Sequence, residues 1–95
     1  MERQFNIAVV GATGAVGETI LSILEQRNFP VGQISALASS RSVGKTIEFR
    51  GDVIEVQDLE TFDFNGVDIG LFSPGASVSD IYAPKAAAAG CVVID

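Results

Sequence analysis

The feature that most constrains this chain is Gly11-Ala12-Thr13-Gly14-Ala15-Val16-Gly17, because it falls where one hydrophobic period stops and another starts. Ahead of it, Phe5-Asn6-Ile7-Ala8-Val9-Val10 is β-branched and almost continuously apolar, the pattern of a parallel strand covered on both faces. Behind it, Val16, Ile20, Leu21, Ile23 and Leu24 recur near the helical repeat, with Thr19, Ser22, Glu25 and Gln26 on the other side. That spacing predicts an amphipathic helix from Ala15 to about Arg27, stopped by Asn28 and Pro30. A glycine turn between a buried strand and a helix carries chemistry as well as shape. It leaves backbone N–H groups bare at the helix N-terminus, where unpaired donors and the helix dipole favour a dinucleotide pyrophosphate. In that reading Gly11 supplies the tight turn, Gly14 leaves room for the phosphates and Gly17 lets the helix pack on the strand. Thr13 adds a hydroxyl donor. The spacing is GxxGxxG rather than GxGxxG, but strand before and helix after supply the context the motif needs. The competing reading is a sharp strand-to-helix turn with no ligand.

The rest of the chain continues the alternation. Gln33–Ala38 reads as a second strand, followed by the polar loop Ser39–Gly44. Two short strands near Thr46–Phe49 and Val53–Val56 flank a tight turn at Arg50-Gly51-Asp52. Asp58–Asn65 predicts a turn of helix and a loop, with Phe62 and Phe64 closing over the core. Val67–Phe72 is another buried strand, Ser77–Ala89 a second helix ended by Gly90, and Cys91–Ile94 a last strand. The class expected is α/β: a Rossmann-like, doubly wound, mainly parallel sheet with helices on both faces and a short β-hairpin insertion.

The loop after the second strand bears on the choice of cofactor. A sheet that binds NAD usually carries a carboxylate there for the ribose hydroxyls, whereas this loop reads Ser39-Ser40-Arg41-Ser42, with no carboxylate before Glu48. A guanidinium flanked by hydroxyls suits a 2′-phosphate, so Ser39, Arg41 and Ser42 point to NADP. The alternative is an ordinary solvated loop. Ser73 and Gly75 end the strand Val67–Phe72, where ligands of such sheets gather, and they could border the cofactor or simply form a turn and helix cap. Cys91 opens an apolar strand with no basic neighbour in sequence and reads as core. Glu55, Asp58, Glu60, Asp63 and Asp68 read as solvated surface rather than a metal site.

Composition narrows the function classes. At 95 residues the chain is one domain at most, and 47% apolar content excludes disorder. No apolar run approaches the roughly 18–20 residues of a membrane span, and the first residues lack a signal-peptide layout. A net charge of −6 argues against nucleic acid, which needs a basic face. With no histidine and one cysteine, the chain holds no disulfide framework, His/Cys zinc site or Cys–His and Ser–His nucleophile pair. Such a chain can bind, with few means of doing chemistry alone.

Gly-Ala-Thr-Gly-Ala-Val-Gly at 11–17, Ala-Ser-Ser-Arg-Ser-Val-Gly-Lys at 38–45, Phe-Ser-Pro-Gly at 72–75 and Ala-Gly-Cys-Val-Val-Ile-Asp at 89–95 together resemble the bacterial aspartate-β-semialdehyde dehydrogenase family over essentially the whole chain. The glycine loop alone is shared with N-acetyl-γ-glutamyl-phosphate reductase. The resemblance implies NADPH-dependent reduction of aspartyl phosphate to the semialdehyde, on the route to lysine, threonine, methionine and isoleucine, in a cytoplasmic homo-oligomer. It implies that Thr13, Gly14, Ala15 and Val16 hold the pyrophosphate, that Arg41 and Ser42, helped by Ser39, take the 2′-phosphate, and that Ser73 and Gly75 lie by the nicotinamide. Pro74 departs from the alanine usual in the family and removes one backbone N–H. Family members are far longer, and their nucleophilic cysteine, general-base histidine and substrate-clamping arginine match no position here; Cys91 matches a strand start instead. Residues 1–95 are therefore expected to be a single NAD(P)-binding domain of a longer enzyme, without catalytic residues and inactive by itself. The other readings are a cofactor-binding or interaction module from a catalytically silent relative, and the cofactor domain of N-acetyl-γ-glutamyl-phosphate reductase, which the Ser-Ser-Arg-Ser-Val-Gly-Lys loop disfavours.

Overall fold

The structure, a computed structural model, describes residues 3–72 and 76–94, the side chains of residues 76–79 apart. The elements run β1 (Phe5–Val10), α1 (Ala15–Gln26), β2 (Val31–Ala38), a 3₁₀ turn at Ser40–Ser42, β3 (Thr46–Phe49), β4 (Asp52–Asp58), β5 (Ile69–Phe72), α2 (Ala76–Ala88) and β6 (Val92–Ile94). They form a six-stranded sheet in the order β3-β4-β2-β1-β5-β6, parallel except for the β3–β4 pair. This is the doubly wound, mainly parallel arrangement expected. The chain builds outward from β1 through β2 to β4, then returns to the other side of β1 for β5 and β6.

The continuous apolar run of β1 serves both faces of the sheet. Ile7 and Val9 pack with Leu21 and Leu24 of α1, while Ala8 and Val10 pack with Ala86 of α2, Phe64 and Phe72. Both helices end as their sequences foretell. Beyond α1, Asn28 takes a positive φ of 49° while Phe29 N–H donates to the Leu24 carbonyl, and beyond α2, Gly90 turns at φ 91° while Cys91 N–H donates to that of Ala86. Pro84 lies inside α2, on an exposed position, where it withholds one N–H from the helix ladder.

Three expectations need correction. The β3–β4 hairpin is present as expected, but its second strand does not stop at Val56: β4 runs on to Asp58 and pairs with β2 through Ala36–Val56, Leu37–Gln57 and Ala38–Asp58. Residues 59–65 form a turn at 59–61 and then irregular chain rather than helix: the Asp58 Oδ1 accepts the Glu60 N–H at 2.9 Å and closes the chain locally. Phe64 is buried there, edge-on to Phe62 at 5.0 Å, but Phe62 is only half-buried. Finally, β5 starts at Ile69, not Val67, because the Asp68 Oδ2 takes the Asn6 N–H at 2.8 Å ahead of the ladder. Asp68 is thus half-buried and structural, not surface decoration.

The hairpin tip is pinned to α1. Arg50 (φ 51°) and Gly51 (φ 83°) make the turn. The Arg50 guanidinium donates to the carbonyls of Leu24 (3.3 Å) and Phe29, and its backbone N–H donates to Glu25 Oε1 at 2.6 Å. These bonds add a charged donor to two carbonyls, one in the last turns of α1 and one just beyond it, which also accept the Phe29 and Val31 N–H groups.

Candidate functional site

At the carboxyl end of β1 the chain must turn at once into α1, and the sequence supplies the geometry for it. Gly11 adopts φ 83°, a conformation that favours glycine, and its N–H and that of Ala12 both donate to the Leu37 carbonyl of β2 at 2.8 and 3.2 Å. Gly17 lies on the buried side of the first helical turn. A Cβ there would stand 2.8 Å from Ala12 Cα and 3.0 Å from its carbonyl carbon, so the fold itself demands glycine. Gly14 is different. Its φ of −84° and ψ of 168° suit any residue, and a Cβ would meet only the Gly11 carbonyl oxygen, at an ordinary 3.5 Å. Nothing within the fold requires a glycine at this position, which faces solvent.

Gly14 is the N-cap of α1 and offers no side chain to the helix amides. The helix ladder begins with Glu18 N–H donating to the Gly14 carbonyl, so the N–H groups of Ala15, Val16 and Gly17 precede the first intrahelical bond. Bare donors and the dipole make this helix end attractive to an anion. Val16 is 58% exposed on the same turn, an apolar side chain uncovered beside the bare amides.

A cleft of about 610 Å³ opens here, within the usual range for ligand sites. A second cleft, at the amino ends of the strands around Asn6 and Gln33, measures about 300 Å³. The larger one is lined by Gly11, Thr13, Gly14, Ala15 and Val16 from the glycine turn, and by Ser39, Ser40 and Ser42 from the loop after β2. Its outer wall is Asp58, Leu59 and Glu60, and Tyr82 of α2 borders it. The two sequence segments singled out for binding therefore meet, and Thr13 Oγ1 reaches Ser42 Oγ at 3.5 Å.

The other site residues fall differently. Gly17 is buried under the turn rather than in the lining. Arg41 is exposed on the 3₁₀ turn, its side chain outside the lining, and no hydrogen bond or ion pair holds its guanidinium among the described residues. Ser73 and Gly75 lie outside the described residues. Cys91 is buried in the core cluster with Ala86 and Phe72; burial, helped by the Asp68 carboxylate, pushes its thiol up, which makes it a poor nucleophile. Sequence reading missed Ser40, Tyr82, Leu59 and the carboxylates of Asp58 and Glu60. Asp58 could have been found from the rule that ligands gather at strand carboxyl ends, had β4 been continued two residues further.

The family model for the semialdehyde dehydrogenase NAD binding domain matches residues 6–95. Over its full length the chain is 62% identical to aspartate-semialdehyde dehydrogenase of Legionella pneumophila, of which it covers 27%, and 47% identical to the USG-1 protein homolog of Azotobacter vinelandii, of which it covers 28%. Against a crystal structure of aspartate semialdehyde dehydrogenase II from Vibrio cholerae it superposes with a TM-score of 0.96 at 55% identity, covering 98% of this chain and 31% of that one. The chain thus spans less than a third of the length of these relatives.

Proposed function

The chain belongs to the semialdehyde dehydrogenase NAD binding domain family, and from that premise we propose that it is the NADP-binding domain of an aspartate-semialdehyde dehydrogenase. Gly14 carries the proposal: a solvent-facing position with room for a side chain has none, at the one place where phosphates need close approach to helix amides. In this reading the N–H groups of Ala15, Val16 and Gly17 hold the pyrophosphate, and Thr13 adds a hydroxyl. Arg41, with Ser39 and Ser42, takes the adenosine 2′-phosphate; support comes from an exposed guanidinium without a partner among the described residues and from the serines on the cleft wall. Ser73 and Gly75 border the nicotinamide end.

When bound, the cofactor supplies hydride for reduction of L-aspartyl-4-phosphate to the semialdehyde, a step of lysine, threonine, methionine and isoleucine synthesis. This chain holds and orients the cofactor, while nucleophile and base come from other parts of a homo-oligomeric cytoplasmic enzyme. Calorimetric titration of NADP and NAD against the wild type and Arg41→Ala tests the cofactor. Stronger binding of NADP that Arg41→Ala abolishes is expected; equal affinities refute the 2′-phosphate role.

A second reading is a cofactor-binding module of a relative without dehydrogenase activity. It draws on Pro74 and on the 47% identity to the USG-1 protein homolog. An Asn-Cys-Ser/Thr segment further along the reading frame separates the two, its presence favouring the enzyme.

A further inference from the structure

The acidic wall of the cleft is unexplained by a site for phosphates. On a chain of net charge −6, two carboxylates placed beside a pyrophosphate oppose binding unless they meet a donor on the ligand. We infer that the Asp58 carboxylate accepts a hydrogen bond from the 6-amino group of the cofactor's adenine and so selects the base, an inference that rests on a dinucleotide occupying this cleft.

Three observations support it. The first is position. β1, β2 and β4 are neighbours, ending at Val10, Ala38 and Asp58, each about 4.8 Å beyond the last. A nucleotide with its phosphates on the α1 amides and its ribose on the loop after β2 brings its base to the next strand end, which is Asp58. The second is rigidity. Leu59 N–H donates to the Ala38 carbonyl at 2.9 Å and Asp58 Oδ1 accepts the Glu60 N–H, so the carboxylate is held. Asp58 is half-buried, and its Oδ2 has no hydrogen-bond partner among the described residues. The third is chemistry. The ring nitrogens of adenine that remain open are acceptors, which a carboxylate repels, so the exocyclic amine is the donor the base can offer. Leu59 and Val16 line the same cleft and give the purine faces apolar contacts.

The test uses NADP and its hypoxanthine analogue, in which a carbonyl replaces the amine, titrated calorimetrically against the wild type, Asp58→Asn and Asp58→Ala. The wild type should prefer NADP by about tenfold, the worth of one charge-assisted hydrogen bond. Asp58→Asn keeps an oxygen for the Glu60 N–H and turns an amide N–H₂ outward. Its preference should vanish or reverse toward the analogue, with the fold intact by circular dichroism. A wild type that does not discriminate, or an Asp58→Asn that keeps the wild-type ratio, overturns the inference. Equal weakening of both ligands in Asp58→Asn also overturns it, since that places the carboxylate on the ribose. Loss of the site reading itself would look different: NADP would fail to bind the wild type at all. Asp58→Ala, which removes both roles of the carboxylate, should match Asp58→Asn in losing the preference for NADP, and a preference retained in it is a further refutation.

Discussion

Alanine at Gly14 and alanine at Gly17 add the same methyl group to the same turn, three residues apart, and should have opposite consequences. At Gly17 the new carbon meets backbone, 2.8 Å from Ala12 Cα and 3.0 Å from its carbonyl carbon, and backbone cannot rotate aside. Overpacking of this kind costs about 3 kcal/mol at the upper end of the usual range, of which alanine's better helix propensity recovers about 1. The net loss of about 2 kcal/mol moves a urea midpoint by about 2 M at a slope of about 1 kcal/mol/M. At Gly14 the new carbon has one ordinary contact at 3.5 Å and a backbone conformation open to any residue. Alanine is the poorer N-cap by up to about 1 kcal/mol, but it restricts the unfolded chain by a comparable amount, so stability should stay within about 0.5 kcal/mol. In the proposed site the methyl stands where the pyrophosphate would approach, so NADP affinity should fall at least about tenfold. Urea unfolding without ligand, paired with calorimetric titration of NADP, reads both effects. The reasoning is refuted if Gly14→Ala unfolds as early as Gly17→Ala, or if it binds NADP with wild-type affinity.

Other expectations follow from the same geometry. Arg41→Ala should weaken NADP about ten- to a hundredfold while leaving NAD unchanged, read by titration of both cofactors; a parallel loss for NAD would remove the arginine from the 2′-phosphate. Arg50→Ala should cost about 1–2 kcal/mol in urea unfolding, because it removes the charge-assisted hydrogen bonds from the guanidinium to the Leu24 and Phe29 carbonyls, while NADP affinity holds; unchanged stability would show that the hairpin tip is not fastened there. Cys91 should resist thiol reagents at pH 8 and react at once in urea. Since folding raises its pKa, its contribution to stability is full below the ordinary thiol value of 9.0 and declines as the pH rises beyond it. Urea midpoints at pH 8 and 10 should therefore fall further apart in the wild type than in Cys91→Ala.

Local signals in the sequence carried most of the fold. The change of period at Gly11 located β1 and α1, and Asn28 and Gly90 end their helices because both accept a positive φ. Long-range pairing was harder to read. Nothing near Asp52–Asp58 says that the second hairpin strand also pairs with β2, whose sequence partner lies about twenty residues back; β4 was therefore cut short at Val56, and Asp58 passed for loop. The start of β5 went astray for a similar reason, since the Asp68 side chain bonds to Asn6, 62 positions away. In the candidate site, the meeting of the glycine turn and the serines after β2 in one cleft was legible because both follow carboxyl ends of neighbouring strands. The far wall was not, because Leu59, Glu60 and Tyr82 meet the cleft only once the sheet and α2 are assembled.

The account rests on the α1 amides as the phosphate cradle, and amide resonances report on them one by one. Titrating the isotope-labelled chain with NADP should move the N–H signals of Thr13, Ala15, Val16 and Gly17 most, with smaller shifts along Ser39–Ser42. Shifts that instead cluster at the amino ends of the strands, around Asn6 and Gln33, with the glycine turn unmoved, would contradict it.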